Sequence, residues 1–246
     1  METIQLDKIM RQVIYTITFL FLNISLYSQS SDIRQAHTAM SKYWAEPTME
    51  HLSDATEVIG EVFNDESATT DHSALYLKSQ LLTAQLTDEN YDTSEDYENF
   101  LDDIVDTYNK ALIYDDHNQN RYHILKNLFS VKDALTTAGS DYYLSKEYQK
   151  ALKYYDAASR MNEVEIKFPR IARPDTSTIY STAVMASLAG RDQLAIKYFE
   201  KVVELGYYRQ DAYDQLIYLY KKNKYDVKAK KMEIKKNKAF PPEQND

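Results

Sequence analysis

From Ser31 onward, apolar residues recur at intervals of three and four, the period of a helix with one buried face. Ile33, His37, Met40 and Tyr43 predict a first helix, ended by Pro47, with Thr48 placed to cap the next. Leu52, Ala55, Ile59 and Val62 predict the second. Asn64 to Asp71 is polar and reads as a loop, after which Leu75, Leu77, Leu81, Leu82 and Leu86 form a richly apolar third helix. Asp88 to Ser94 is again a loop. Tyr97, Phe100, Leu101, Ile104, Val105, Tyr108, Ala111 and Leu112 then mark a fourth helix.

Asp115 to Asn120 breaks the chain, and Arg121 to Leu144 reads as one long helix with Gly139 inside it. The clearest pair follows. Ile179, Ala183 and Ala186 line a helix that any of Asp175, Thr176 or Ser177 can cap. Gly190 provides a turn, and Ala195, Tyr198, Phe199, Val202 and Val203 line the returning helix.

That hairpin resembles the tetratricopeptide repeat, whose small and aromatic residues recur at fixed offsets over 34 residues. Ile179, Thr182, Ala183, Ala186, Ala195, Phe199 and Tyr207 fall at those offsets, with Ile for Trp, Ala for Gly and Tyr for Pro. A second copy carries Tyr213, Leu216, Ile217, Tyr220, Ala229, Glu233 and Pro241, its Ala229 lying 34 residues after Ala195. A third carries Leu135, Ala138, Gly139, Tyr142, Ala151 and Tyr155, with Ala151 placed 44 residues before Ala195. About ten extra residues are thus assigned to Glu163 to Arg173, where Pro169 and Pro174 argue against helix. One hairpin cannot bury its apolar face alone, so neighbours must stack. The resemblance implies an all-α fold: a tetratricopeptide-like array of helical hairpins, an α-solenoid of about ten helices in about five hairpins, winding as a right-handed superhelix. The non-repeating alternative is a helical bundle.

Residues 1–30 stand apart. Lys8 and Arg11 precede the apolar run Val13 to Tyr27, and Ser28 and Ser30 follow, which is the layout of a secretory signal peptide. Met10 offers an alternative start. The run is short for a membrane span, which needs about 20 apolar residues. The domain reading is therefore a signal peptide over 1–30, divergent acidic hairpins over 31–120, tetratricopeptide-like repeats over 121–242 and a tail over 243–246. The expected location is periplasmic or secreted, with no stable membrane anchor after cleavage.

The absence of cysteine excludes disulfides, thiol nucleophiles, thiolate metal sites and lipid attachment through a cysteine. Four glycines and five prolines favour helices over a turn-rich β-sandwich. The 22 tyrosines, against one tryptophan, suit helix interfaces that leave a polar tip at the surface. Charge is uneven: residues 31–120 hold 20 acidic and 4 basic side chains, whereas 121–246 hold 23 basic and 16 acidic. Much of the basic excess lies in Lys221 to Lys238. Such a division points to an interaction surface or head-to-tail association, or simply to a solvated end of an array.

No catalytic motif is present: there is no Gly-x-Ser-x-Gly elbow and no phosphate-binding glycine loop. The five histidines, His37, His51, His72, His117 and His123, form no paired metal motif with a glutamate. The loop from Asp88 to Asp96 begins like a calcium loop, with Asp88, Asn90, Asp92, Ser94 and Asp96 as oxygen donors. Thr93 replaces its turn glycine and Asn99 its closing glutamate, so an acidic loop entering a helix is the simpler reading. Neither a cofactor nor a metal is expected, and the net charge of −9 together with export argues against nucleic acid.

In the family the first helix of each hairpin lines a concave groove for peptide or protein partners. The resemblance places Thr136, Ser140 and Tyr143, then Tyr180, Val184 and Ser187, then Asp214, Tyr218 and Lys221 on that face. Tyr143, Tyr180 and Tyr218 are the expected hot spot. The Lys and Asn clamp with which chaperone-type members hold a terminal carboxylate is absent. The expectation is a non-enzymatic, exported protein-binding scaffold. An accessory subunit of a cell-envelope or carbohydrate-handling complex is the second reading, and a calcium-binding or catalytic protein the third.

Overall fold

A computed structural model describes residues 31–88, 91, 96–115, 117–166, 175–206 and 209–241, with side chains at 165 and 166 left aside. The predicted signal segment, most of the acidic loop, Tyr207 and the two prolines at 169 and 174 lie outside the described residues. Among the described residues there are ten α-helices and no strand. They are α1 (31–45), α2 (Met49–Val62), α3 (His72–Thr87), α4 (Tyr97–Tyr114) and α5 (Arg121–Leu144). Then follow α6 (Tyr148–Ile166), α7 (Thr176–Leu188), α8 (Asp192–Glu204), α9 (Gln210–Lys222) and α10 (Asp226–Ala239). A single 3-10 turn, Glu66–Thr69, interrupts the loop before α3.

The starts of the helices follow side-chain chemistry. Thr48 accepts from the His51 amide, Asp71 from those of Ser73 and Ala74, and Asp175 from that of Thr178. Each satisfies backbone donors that the first turn leaves open. Of the three candidate caps before α7, Asp175 holds the position.

The hairpins α5/α6, α7/α8 and α9/α10 turn in the same way. The amides of Lys146, Gly190 and Lys224 donate to the carbonyls of Tyr143, Ser187 and Lys221. The next amides, of Glu147, Arg191 and Tyr225, donate back to Tyr142, Ala186 and Tyr220, each at 2.8 Å. This double bond is the Schellman closure, and it requires a left-handed residue. Lys146, Gly190 and Lys224 have φ of 63°, 71° and 62°. A side chain there costs about 1–2 kcal/mol. Lys146→Gly and Lys224→Gly are therefore expected to raise stability by about 0.5–1 kcal/mol each, and Gly190→Lys to lower it by about 1 kcal/mol. A Cβ on Gly190 would meet nothing, so that cost is purely conformational. Urea midpoints of the three variants check this, and lysine-to-glycine changes that destabilise would contradict the turn geometry.

Five residues after each turn stands a buried alanine: Ala151, Ala195 and Ala229. Gly139 allows the closest approach, since a Cβ there would lie 2.9 Å from the Tyr155 ring. Thr182, fully buried on α7, has its Oγ1 2.9 Å from the carbonyls of Tyr155 and Thr178 and 2.7 Å from Ser159 Oγ. Tyrosines bond across the helices: Tyr198 donates to Asp156, and Tyr220 to Glu200. Burial favours the neutral form of Glu200, but the bonds from Tyr220 and Lys228 outweigh it and hold the carboxyl below its ordinary range.

From α5 to α10 each helix packs on its successor. Nearer the start the pattern differs. There α3 packs on both α4 and α5, and α4 lies against α6. The buried residues form three clusters: one over α1 to α3, one running from α3 to α6, and one from α6 to α10. Two sequence expectations need correction. His37 is exposed, and Ala36 and Ala39 complete the α1 stripe with Met40 and Tyr43. Glu163 to Ile166, placed in a non-helical insertion, continue α6, which runs to 19 residues against 13 for α8. Part of the 44-residue spacing is thus extra helix.

Candidate peptide-binding face

Along α5, positions 122, 126, 129, 133, 136, 140 and 143 alternate in steps of four and three, so they share one stripe. Among the described residues no core cluster covers its aromatic members. Tyr122 is 74% exposed, Phe129 63% and Tyr143 42%. Tyr122, Phe129, Thr136 and Tyr143 are spaced by seven residues, roughly 10.5 Å of helix per step. Neighbouring groups steady them. Lys132 lays its ammonium 5.5 Å from the Phe129 ring centre, and Tyr143 sits 6.1 Å from Tyr148. His123 meets Tyr122 edge-on at 5.5 Å and Tyr76 of α3 at 6.4 Å. The aromatic surface therefore extends from α5 to the helix packed beside it.

The other expected groove residues have separate settings. Thr136 turns its hydroxyl back to the Lys132 carbonyl, and Ser140 lies by Tyr155. On α7, Tyr180 is half-buried, with its hydroxyl donating to Asp211 Oδ2 at 2.7 Å. The Arg209 guanidinium lies 4.9 Å above the same ring and also bonds Asp211 through two nitrogens. Burial would raise the Asp211 pKa, but the Tyr180 and Arg209 bonds outweigh it and hold the carboxyl low. Val184 is half-buried against the core, and Ser187 supplies a turn carbonyl.

On α9, Tyr218 is 58% exposed, while Asp214 pairs with Lys236 and Lys221 with Glu233 of α10. Those pairs are surface contacts that lie across the α9–α10 seam. Tyr143 and Tyr218 are thus exposed at the surface, whereas Tyr180 is engaged in an aromatic–cation–carboxylate stack. Tyr76, Tyr122 and Phe129 were missing from the sequence-based set. The seven-residue step backward from Tyr143 and Thr136 finds Phe129 and Tyr122, whereas Tyr76 joins them only through the packing of α3 beside α5.

A depression of about 760 Å³ lies at the turn ends and is lined by Gln149, Asp156, Arg191, Asp192, Gln193 and Asn223, among others. Its walls are linked to one another. Gln149 donates to the Ala189 carbonyl, Gln193 to Asn223, and Lys222 pairs with Asp192. It ties adjacent hairpins together.

Among the described residues no three His, Asp or Glu side chains converge to hold a metal ion. Asp88, the first residue of the acidic loop, accepts a bond from Tyr43 at 3.1 Å. The strongly shifted groups are three tyrosines bonded between helices, Tyr108 to Thr83, Tyr198 to Asp156 and Tyr220 to Glu200, whose phenols burial holds protonated well above their ordinary range. No described helix is long and apolar enough to cross a membrane. Neither a known protein family nor a curated protein matches this chain.

Proposed function

We propose that the chain is a non-enzymatic, exported protein-binding scaffold, an α-solenoid of tetratricopeptide type, whose odd-numbered helices receive a peptide or a protein segment. The observation that carries this reading is the exposed aromatic stripe of α5. Large aromatics left open on a helix face, in seven-residue register, supply the wide, rigid contact area from which binding hot spots are built. The three matching turns and buried alanines support the repeat reading, and the leader-like first 30 residues support export.

Tyr122→Ala, Phe129→Ala and Tyr143→Ala combined should leave the fold intact, because exposed positions usually shift stability by no more than about 0.5 kcal/mol each. The same variant should recover at least tenfold less of a partner in pull-downs from envelope and culture fractions, as loss of one hot-spot residue or more implies. A photo-cross-linker placed at Phe129 or Tyr218 should capture that partner, and one at Lys197 of α8 should not. Equal recovery by the triple variant, or labelling from Lys197 alone, would refute the proposal.

A further inference from the structure

The end of the helix order is unlike its interior. In α5/α6 and α7/α8, the residue three places after the left-handed turn residue is a glutamine. Gln149 donates to Ala189, and Gln193 to Asn223, each reaching the turn of the following hairpin. The third position of that series is Val227, 71% exposed. Ile234, seven residues further on and on the same side of α10, is 64% exposed. Only Ala229 of α10 is fully buried. Lys224, Lys230, Lys231, Lys235 and Lys238 surround this apolar pair, are exposed, and have no ion pair among the described residues. Lys221, Lys222, Lys228 and Lys236, by contrast, are paired with Glu233, Asp192, Glu200 and Asp214.

The start of the helix order carries the opposite charge. Glu50, Asp54, Glu57 and Glu61 follow steps of four, three and four along α2, all exposed and without an ion pair among the described residues. Gly60 lies beside them, and a Cβ there would touch nothing, so this face is open. Between α1 and α2 runs a groove of about 390 Å³. Ala39 and Val58 provide its apolar surface, Asp54 and Glu57 line the α2 side, and Arg34 and Lys42 the α1 side. The principal packings join helices one or two apart in chain order, so none of them brings α10 to α2.

We propose that α10 of one molecule docks on the α1/α2 end of a second copy. Val227 and Ile234 meet the groove over Ala39 and Val58, and Lys230 and Lys231 meet Asp54 and Glu57. Arg34 and Lys42 repel the lysines from the α1 side and so fix the register. The contact is heterologous, joining head to tail, and it leaves an open end on each copy for another. Charge steers it and salt screens it, since the Debye length falls from about 10 Å at 0.1 M to about 3 Å at 1 M. This inference is independent of what the α5 face binds.

Sedimentation velocity of the purified full chain tests it, over rising protein concentration at low and at high salt. The expected result is a sedimentation coefficient that climbs with concentration at low salt and returns to the monomer value near 1 M. Lys230→Glu with Lys231→Glu should abolish association, and so should Asp54→Lys with Glu57→Lys. An equimolar mixture of the two double variants should associate again, because each then offers the other a complementary end. A wild type that stays monomeric, a double variant that still associates, or a mixture that fails to recover would each overturn the proposal. So would binding of α10 to anionic vesicles without self-association.

Discussion

Phe199→Ala should cost about 3–5 kcal/mol, and the loss should stay local. Phe199 is fully buried on α8, packs edge-to-face with Tyr180 at 5.9 Å between ring centres, and shares a cluster with Ile179, Ala183 and Val202. Removing the ring leaves a cavity that rigid helices cannot fill. In a linear stack each hairpin contacts only its neighbours, so stability is close to a sum of local terms. Hydrogen exchange should show amides of α7 and α8 opening at least tenfold faster, while those of α2 and the start of α3 keep their protection. Equal loss of protection throughout would mean one cooperative globule and would remove the solenoid reading.

Tyr108→Ala should have an effect of the same size, roughly 3–5 kcal/mol for a fully buried aromatic ring, in the other half of the chain. Tyr108 is fully buried on α4 in the cluster that runs from α3 to α6. Its hydroxyl lies 2.7 Å from Thr83 Oγ1, which in turn reaches the Ser79 carbonyl. Burial keeps the phenol protonated far above its ordinary range. Tyr108→Phe keeps the ring and loses one hydrogen bond, for about 1 kcal/mol, because Thr83 still has its backbone acceptor. Chemical denaturation of the two variants separates cavity from hydrogen bond. A phenylalanine variant as unstable as the alanine variant would place the energy in the Thr83 bond instead.

Much of the helical architecture is legible in the chain because burial and period are linked. Leu52, Ala55, Ile59 and Val62 on α2, and Ala195, Tyr198, Phe199, Val202 and Val203 on α8, are the buried residues that the three-and-four spacing picks out. Capping is legible for the same local reason: Thr48 and Asp175 bond amides within three residues of themselves. The 44-residue spacing was misassigned because proline marks where a helix cannot continue, not how far it runs beforehand. Ile166 still belongs to α6, three residues before Pro169. His37 was placed inward because it falls on the stripe of Ile33 and Met40, while the smaller Ala36 and Ala39 fill the close contact.

The candidate site was only partly legible, and the reason is geometric. Periodicity says which residues share a face, and it is silent on what covers that face. Tyr122 and Phe129 have the composition of a core, yet they stand open because no described helix covers that side of α5. Asp214 and Lys221 have the composition of a groove wall, yet each is drawn into an ion pair with α10.

By itself, then, the amino-acid order determined the helices, their caps and the alternation of buried and exposed sides, since these depend on contacts within a few residues. The exposed aromatic stripe of α5, the engagement of Tyr180 by Arg209 and Asp211, and which lysines of α10 are drawn into ion pairs were decided by tertiary structure. Whether a side chain stays in water depends on which other helix is placed next to it, and that is a property of residues far apart in the chain.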